Sequence, residues 1–131
     1  MRILGIGVDI VETARIQRSI DRFGSDFLER VFCPGEIEYC RAMKHAAQHF
    51  GARFAAKEAI SKAFGTGIGT QIGWRDLEVR RKGSGEPFVE LHGPALQLAE
   101  RLKVESVWVS FSHSVHYSVA QAIVTARSAE A

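Results

Sequence analysis

A chain of 131 residues that is 46% hydrophobic and 24% charged has the profile of one domain with one core, spanning residues 1–131, and leaves no room for a second. A formal net charge of +2 without a run of like charges excludes a nucleic-acid-binding arm, and no stretch approaches the roughly eighteen apolar residues of a membrane span. Two cysteines, Cys33 and Cys40, without a Cys-x-x-Cys spacing exclude a disulfide framework and read as reduced thiols of a cytoplasmic protein.

The opening apolar run, Met1 to Val8, meets Asp9 before it reaches signal-peptide length. Residues 2–10 are β-branched and apolar with two glycines, which predicts a buried strand delivering Asp9 to its end, with Glu12 three residues on. From Thr13 the period becomes helical. Ile16, Ile20 and Phe23 share one face, Arg15, Arg18 and Arg22 another, and Gly24 ends the helix. Ser25 opens a short second helix carrying Phe27, Leu28 and Val31, and Pro34 suits the first turn of a third that runs through Met43.

The longest helical signal runs from His45 to Phe64, closed by Gly65 where a left-handed C-cap is expected. Phe50, Phe54 and Phe64 form one apolar arc, and Ala52, Ala56, Ala59 and Ala63 form a second, small-residue face almost opposite. A helix apolar on two sides is buried on two sides, and the alanine face admits a close backbone approach. Gly65 to Gly69 is a glycine-rich loop. Trp74 to Arg80 and Phe88 to Leu91 read as a hairpin across a turn at residues 82–86. Pro94 opens another helix with Leu98 and Leu102 inward, and the chain closes on two strands, Val107 to Phe111 and Tyr117 to Thr125, joined through Ser112-His113-Ser114. Helices and strands mix without βαβ alternation, which gives an α+β class: a long buried helix against a small, mainly antiparallel sheet.

Asp9 at the end of an apolar strand and Glu58 on a doubly apolar helix are poor places for uncompensated carboxylates. One or two such carboxylates, completed by substrate phosphates, are how Mg²⁺ is normally held. The structural alternative pairs Glu58 with Lys62 at i,i+4 and uses Asp9 as a cap for the helix from Thr13. Arg53, Lys57 and Lys62 share the helix with Glu58, a mixture that suits a metal-bridged diphosphate or, for Arg53 and Lys57, a solvated basic face. The loop after Phe64 lacks the Gly-x-x-x-x-Gly-Lys pattern and does not precede a helix N-terminus, so it is no phosphate cradle by itself. His113 is either a hydrogen-bonded turn histidine or a phosphate contact.

Two segments decide between these readings. Gly5-Ile6-Gly7-Val8-Asp9-Ile10-Val11-Glu12 and Arg53-Phe54-Ala55-Ala56-Lys57-Glu58-Ala59-Ile60-Ser61-Lys62-Ala63-Phe64-Gly65-Thr66-Gly67 resemble, in order and separation, the two signature blocks of the holo-acyl-carrier-protein synthases. Ser112-His113-Ser114 resembles that family's third, less specific block.

The resemblance implies a 4'-phosphopantetheinyl transferase that moves phosphopantetheine from coenzyme A to a serine of apo-acyl carrier protein. The serine hydroxyl attacks the β-phosphorus and 3',5'-ADP leaves. It implies that Asp9 and Glu58 ligate Mg²⁺, that Lys62 contacts the phosphates and stabilises or protonates the leaving group, and that Arg53 and His113 hold the 3'-phosphate nucleotide end. It further implies a homotrimer with sites between subunits, and acyl carrier protein docking on Arg15, Arg18 and Arg22. The base for the serine proton stays open among Glu58, Asp9 and a water at the ion. Two other classes remain to be separated by experiment: a binding module without turnover, and a hydrolase that transfers to water.

Overall fold

A computed structural model describes residues 1–128 of the chain. In chain order the elements are β1 (Arg2–Glu12), α1 (Thr13–Phe23), α2 (Ser25–Val31), α3 (Pro34–Arg41), α4 (Ala46–Ala63), a 3-10 turn (Trp74–Asp76), β2 (Leu77–Arg81), β3 (Pro87–Leu91), α5 (Gly93–Arg101), β4 (Val104–His113) and β5 (Tyr117–Ala126). The strands form two antiparallel sheets, β1-β5-β4 and the hairpin β2-β3, so the fold is α+β.

Helix α4 lies across the three-stranded sheet, packed against all of its strands. The pleat explains how. Along β5 the inward row is Ser118, Ala120, Ala122 and Val124, all buried, while Tyr117, Val119 and Gln121 face away. On β1 the row that includes buried Gly7 and Val11 carries Gly5 and Asp9 with it, and both glycines meet the helix. A Cβ at Gly7 would fall inside the envelope of the Ala59 carbonyl oxygen, and one at Gly5 inside that of Ala63. The alanine face of α4 therefore receives the bare backbone of β1, as expected. This approach fixes the strand's register on the helix and brings Asp9, two residues beyond Gly7, beside the next turn of α4. The opposite arc of α4, Phe50, Phe54 and Phe64, is buried with Phe27, Leu28, Phe32 and Ile72.

Several expectations need correction. Strand β1 is not buried on both faces: Ile6, Val8 and Ile10 are 65%, 59% and 64% exposed, because only the helix-facing side of the sheet is covered within one chain. The strand also continues three residues past Asp9. Phe23 is half exposed beneath the guanidinium of Arg22, since α1 packs chiefly through Ile16. Helix α3 stops at Arg41. Trp74 begins a 3-10 turn rather than a strand, because the Asp76 carboxylate accepts from the Gly73 amide at 2.8 Å and closes that turn. Strand β4 reaches from Val104 to His113, so Ser112 and His113 belong to the strand and not to the connection after it. Gly65 takes the left-handed conformation foreseen for it, with φ of 85°.

Candidate active site

Glu58 and Lys62 stand one turn apart on α4, and β1 lays Asp9 next to them. The Lys62 ammonium does not pair with Glu58. It donates to Asp9 Oδ1 at 3.1 Å and to the Val8 carbonyl at 3.0 Å. Asp9 is no helix cap either, because Glu12 occupies the N-cap position of α1 and makes no side-chain capping bond. Both structural alternatives raised by the sequence thus fail. Burial and, after it, the charge of Asp9 push the Glu58 carboxyl above its ordinary value, while Lys62 and Arg15 pull it back. Two carboxylates near enough for the charge of Asp9 to disfavour ionised Glu58, with the Lys62 ammonium on Asp9 alone, are a donor set that a hard divalent cation fits.

Arg15 is part of this neighbourhood. Its guanidinium carbon sits 5.6 Å from the centre of the Phe54 ring, so Arg15 leans onto α4 rather than projecting freely. Arg15, Arg18 and Arg22 are all exposed on this helix and line one shallow hollow with Ser19, Asp21 and Phe23.

The remaining charges of α4 do other things. Lys57 belongs to neither a diphosphate site nor a solvated face: its side chain is fully buried and paired with Glu36 at 2.8 Å. Its ammonium also donates to the carbonyls of Trp74, at 2.9 Å, and Leu77. Glu36 in turn accepts from the amides of Cys33 at 2.7 Å and Val79 at 2.8 Å. The signal for this was the apolar residues on both sides of Lys57, but its partner 21 positions upstream carries no pattern in the sequence.

Arg53 is 2% exposed, stacked 4.3 Å from the centre of the Tyr39 ring, and is thus no solvated residue. His113 closes β4 beside it, with Nδ1 3.1 Å from Gln48 Oε1 and its ring 4.6 Å from that of His49. Burial, then Arg53 and Arg81, lowers the His113 pKa; burial, then a series of cations headed by His113, lowers that of His49. The predicted residues therefore fall into two groups, Asp9–Glu58–Lys62 and Arg53–His113. Arg53 and Glu58, five residues apart, are turned about 140° from each other around the helix. The glycine loop serves neither group: the amides of Gly65, Thr66 and Gly67 bond the carbonyls of Ser61 and Lys62 at the end of α4.

Residues 5–122 match the family described as the 4'-phosphopantetheinyl transferase superfamily. A holo-[acyl-carrier-protein] synthase of Koribacter versatilis is 48% identical over 122 residues, which are 93% of this chain and 98% of that protein. The crystal structure of a holo-[acyl-carrier-protein] synthase from Neisseria meningitidis superposes with a TM-score of 0.88 at 30% identity, covering 95% of this chain and 99% of that one. The Helicobacter pylori holo-[acyl-carrier-protein] synthase, solved in complex with coenzyme A, gives 0.82 at 32% identity over 92% and 99% of the two chains. With a family match over most of its length and relatives of this similarity, the chain belongs to the holo-[acyl-carrier-protein] synthases, enzymes of the 4'-phosphopantetheinyl transferase superfamily.

Proposed function

We propose that this protein transfers 4'-phosphopantetheine from coenzyme A to a serine of apo-acyl carrier protein, with Mg²⁺ held by Asp9 and Glu58. The observation that carries the reading is the convergence of these two carboxylates with Lys62 at the junction of β1 and α4. When bound, the ion supplies charge neutralisation at the pyrophosphate. The chain's own residues do the rest. Lys62, anchored on Asp9 and the Val8 carbonyl, offers its ammonium to the phosphate that becomes the leaving group. The acceptor serine gives its proton to a carboxylate of the pair as its oxygen bonds the β-phosphorus. The bond from that phosphorus to the bridging oxygen breaks, and 3',5'-ADP departs with the charge. No protein nucleophile is needed, because phosphoryl transfer depends on positioning and electrostatics. Arg53 and His113 hold the nucleotide end. Incubating the protein with apo-acyl carrier protein, coenzyme A and Mg²⁺ tests this by mass spectrometry: a phosphopantetheine mass gain is expected. An unchanged carrier, or free phosphopantetheine alone, would assign a binding module or a hydrolase instead.

The two residue groups lie on different sides of α4, which supports a site completed by a neighbouring subunit. The uncovered sheet face supports the same assembly: Ile6, Val8 and Ile10 continue across to Val119 and Trp108, which are 41% and 58% exposed. A homotrimer is expected by light scattering at micromolar concentration, and Trp108→Glu should dissociate it. A parent that stays monomeric and active would show the site to be complete in one chain.

The carrier's acidic surface docks, in this reading, on α1 through Arg15, Arg18 and Arg22. Exposed ion pairs contribute about 0.2 to 1 kcal/mol each, so charge reversals should raise the carrier's KM modestly and compound. Because Arg15 also faces Glu58, Arg18→Glu/Arg22→Glu is the cleaner variant beside Arg15→Glu. An unchanged carrier KM in both, or a rise in the KM of coenzyme A instead, would remove α1 as the docking surface.

A further inference from the structure

The guanidinium groups of Arg53 and Arg81 converge on the same two aromatic rings. Arg53 comes from α4 and Arg81 from the end of β2. Arg53 lies 4.3 Å from the centre of the Tyr39 ring and 5.6 Å from that of Phe111; Arg81 lies 5.9 Å and 5.4 Å from the same centres. Like charges repel, yet among the described residues neither arginine has a carboxylate partner. Among the described residues, Arg53 Nη1 reaches only the His49 carbonyl, at 3.3 Å, and its buried Nε has no acceptor. Arg81 Nη1 donates to the Gly85 carbonyl at 2.7 Å.

Both arginines line one cavity of about 490 Å³, with Tyr39, Val79, Arg80 and Glu78 around it. Of the other two charged residues lining the cavity, Arg80 pairs with Glu90 at 2.7 Å, and Glu78 is held in a hydrogen bond with His92 at 2.9 Å rather than against either guanidinium. Among the described residues, the guanidiniums of Arg53 and Arg81 are left without an anion at hydrogen-bond distance. Nearby His49 and His113 supply no anion, and burial followed by the surrounding cations holds both toward the neutral form, so they add no acidic partner for the arginines. A buried guanidinium without an anion is unfavourable, and ring stacking does not neutralise it. A dianion that accepts from both forks at once satisfies the donors and relieves the repulsion. A carboxylate has one charge to share between them; a phosphomonoester has two.

We propose that Arg81, together with Arg53, forms a two-guanidinium clamp for a phosphomonoester dianion seated over Tyr39 and Phe111. The inference rests on the transferase reading, in which that group is the 3'-phosphate of coenzyme A. It adds Arg81, which no signature block contains, as the residue that makes the enzyme distinguish coenzyme A from its 3'-dephospho form. Arg81 is exposed at a strand end and touches neither Asp9 nor Glu58, so its replacement leaves the core and the phosphoryl-transfer group unaltered.

Calorimetric titration of the parent, Arg81→Gln and Arg81→Lys with coenzyme A and with 3'-dephospho-coenzyme A tests the clamp. The parent is expected to prefer coenzyme A. Arg81→Gln should weaken coenzyme A about tenfold, the loss of one charged hydrogen-bond pair, and leave the dephospho form within error. Arg81→Lys should recover only part of the difference, because a point charge replaces a fork. Equal weakening of both ligands, or of neither, overturns the clamp, while parental binding of coenzyme A together with a phosphopantetheine mass gain on the carrier leaves the transferase reading standing. A parent that binds neither ligand overturns both.

Discussion

Asp9→Asn and Glu58→Gln are each expected to lower the rate of transfer by about a hundred- to a thousandfold, equivalent to about 3 to 4 kcal/mol of transition-state stabilisation, with the fold intact. Each change removes one charge and almost no volume. Asp9 lies at the helix-facing edge of β1 with its side chain 18% exposed, and its one ion pair among the described residues is to Lys62, itself 48% exposed. A pair so open to solvent contributes little to stability. Glu58 makes no ion pair among the described residues, and burial and Asp9 both disfavour its ionised form. Neutralising it therefore relieves a native-state conflict, so Glu58→Gln should unfold at a temperature equal to or slightly above the parent's. Turnover with a titration of Mg²⁺, beside circular dichroism on heating, reads both quantities. Near-parental turnover in either variant at saturating Mg²⁺ would remove the carboxylate pair as the metal site. Equal losses of activity and of thermal stability would reduce it to a structural role.

The parts of this site visible in the sequence are those that obey a local rule. The small-residue face of α4 and the two glycines of β1 each have a period, and together they account for a strand pressed directly on a helix. Asp9, Glu58 and Lys62 could be nominated because charged residues in apolar surroundings call for a partner. Their true pairing, Lys62 with Asp9 and not with Glu58, depends on the register of β1 against α4, which is a tertiary quantity. Trp74 has a strand-like preference, but the hydrogen bond from the Gly73 amide to the Asp76 carboxylate closes a 3-10 turn there and overrides it. Helical periodicity puts Phe23 on the inner face but does not say how far along the helix the contact extends, and at the last turn of α1 Phe23 is half exposed. The exposed row on β1 is a different case. Ile6, Val8 and Ile10 have the composition of a buried strand, and that composition agrees with the proposed assembly better than with the isolated chain.

Lys57 and Lys62 are five residues apart on one helix, and the second large effect separates them. Lys57→Met is expected to destabilise the protein by about 3 to 5 kcal/mol, the usual cost of breaking a buried pair from one side. The Lys57 and Glu36 side chains are both fully buried, and together they join four segments. The ammonium holds the Trp74 and Leu77 carbonyls of the segment that leads into β2, and the carboxylate holds the Cys33 amide at the start of α3 and the Val79 amide within β2. Methionine fills the space of the lysine stem but leaves two carbonyls without a donor and Glu36 charged in an apolar interior. Glu36→Gln should cost less, since an amide oxygen still accepts one of the two backbone bonds and Lys57 keeps its carbonyl partners. The double variant should be more stable than the sum of the two losses predicts, because the second change removes the charge that the first one strands. Urea denaturation of the four proteins measures all three differences. A Lys57→Met variant within about 1 kcal/mol of the parent would show that the ion pair is not holding α3 and β2 to α4. The contrast with Lys62 completes the test: Lys62→Met should leave the unfolding midpoint near the parent's and abolish transfer, because that ammonium is half exposed and directed at Asp9.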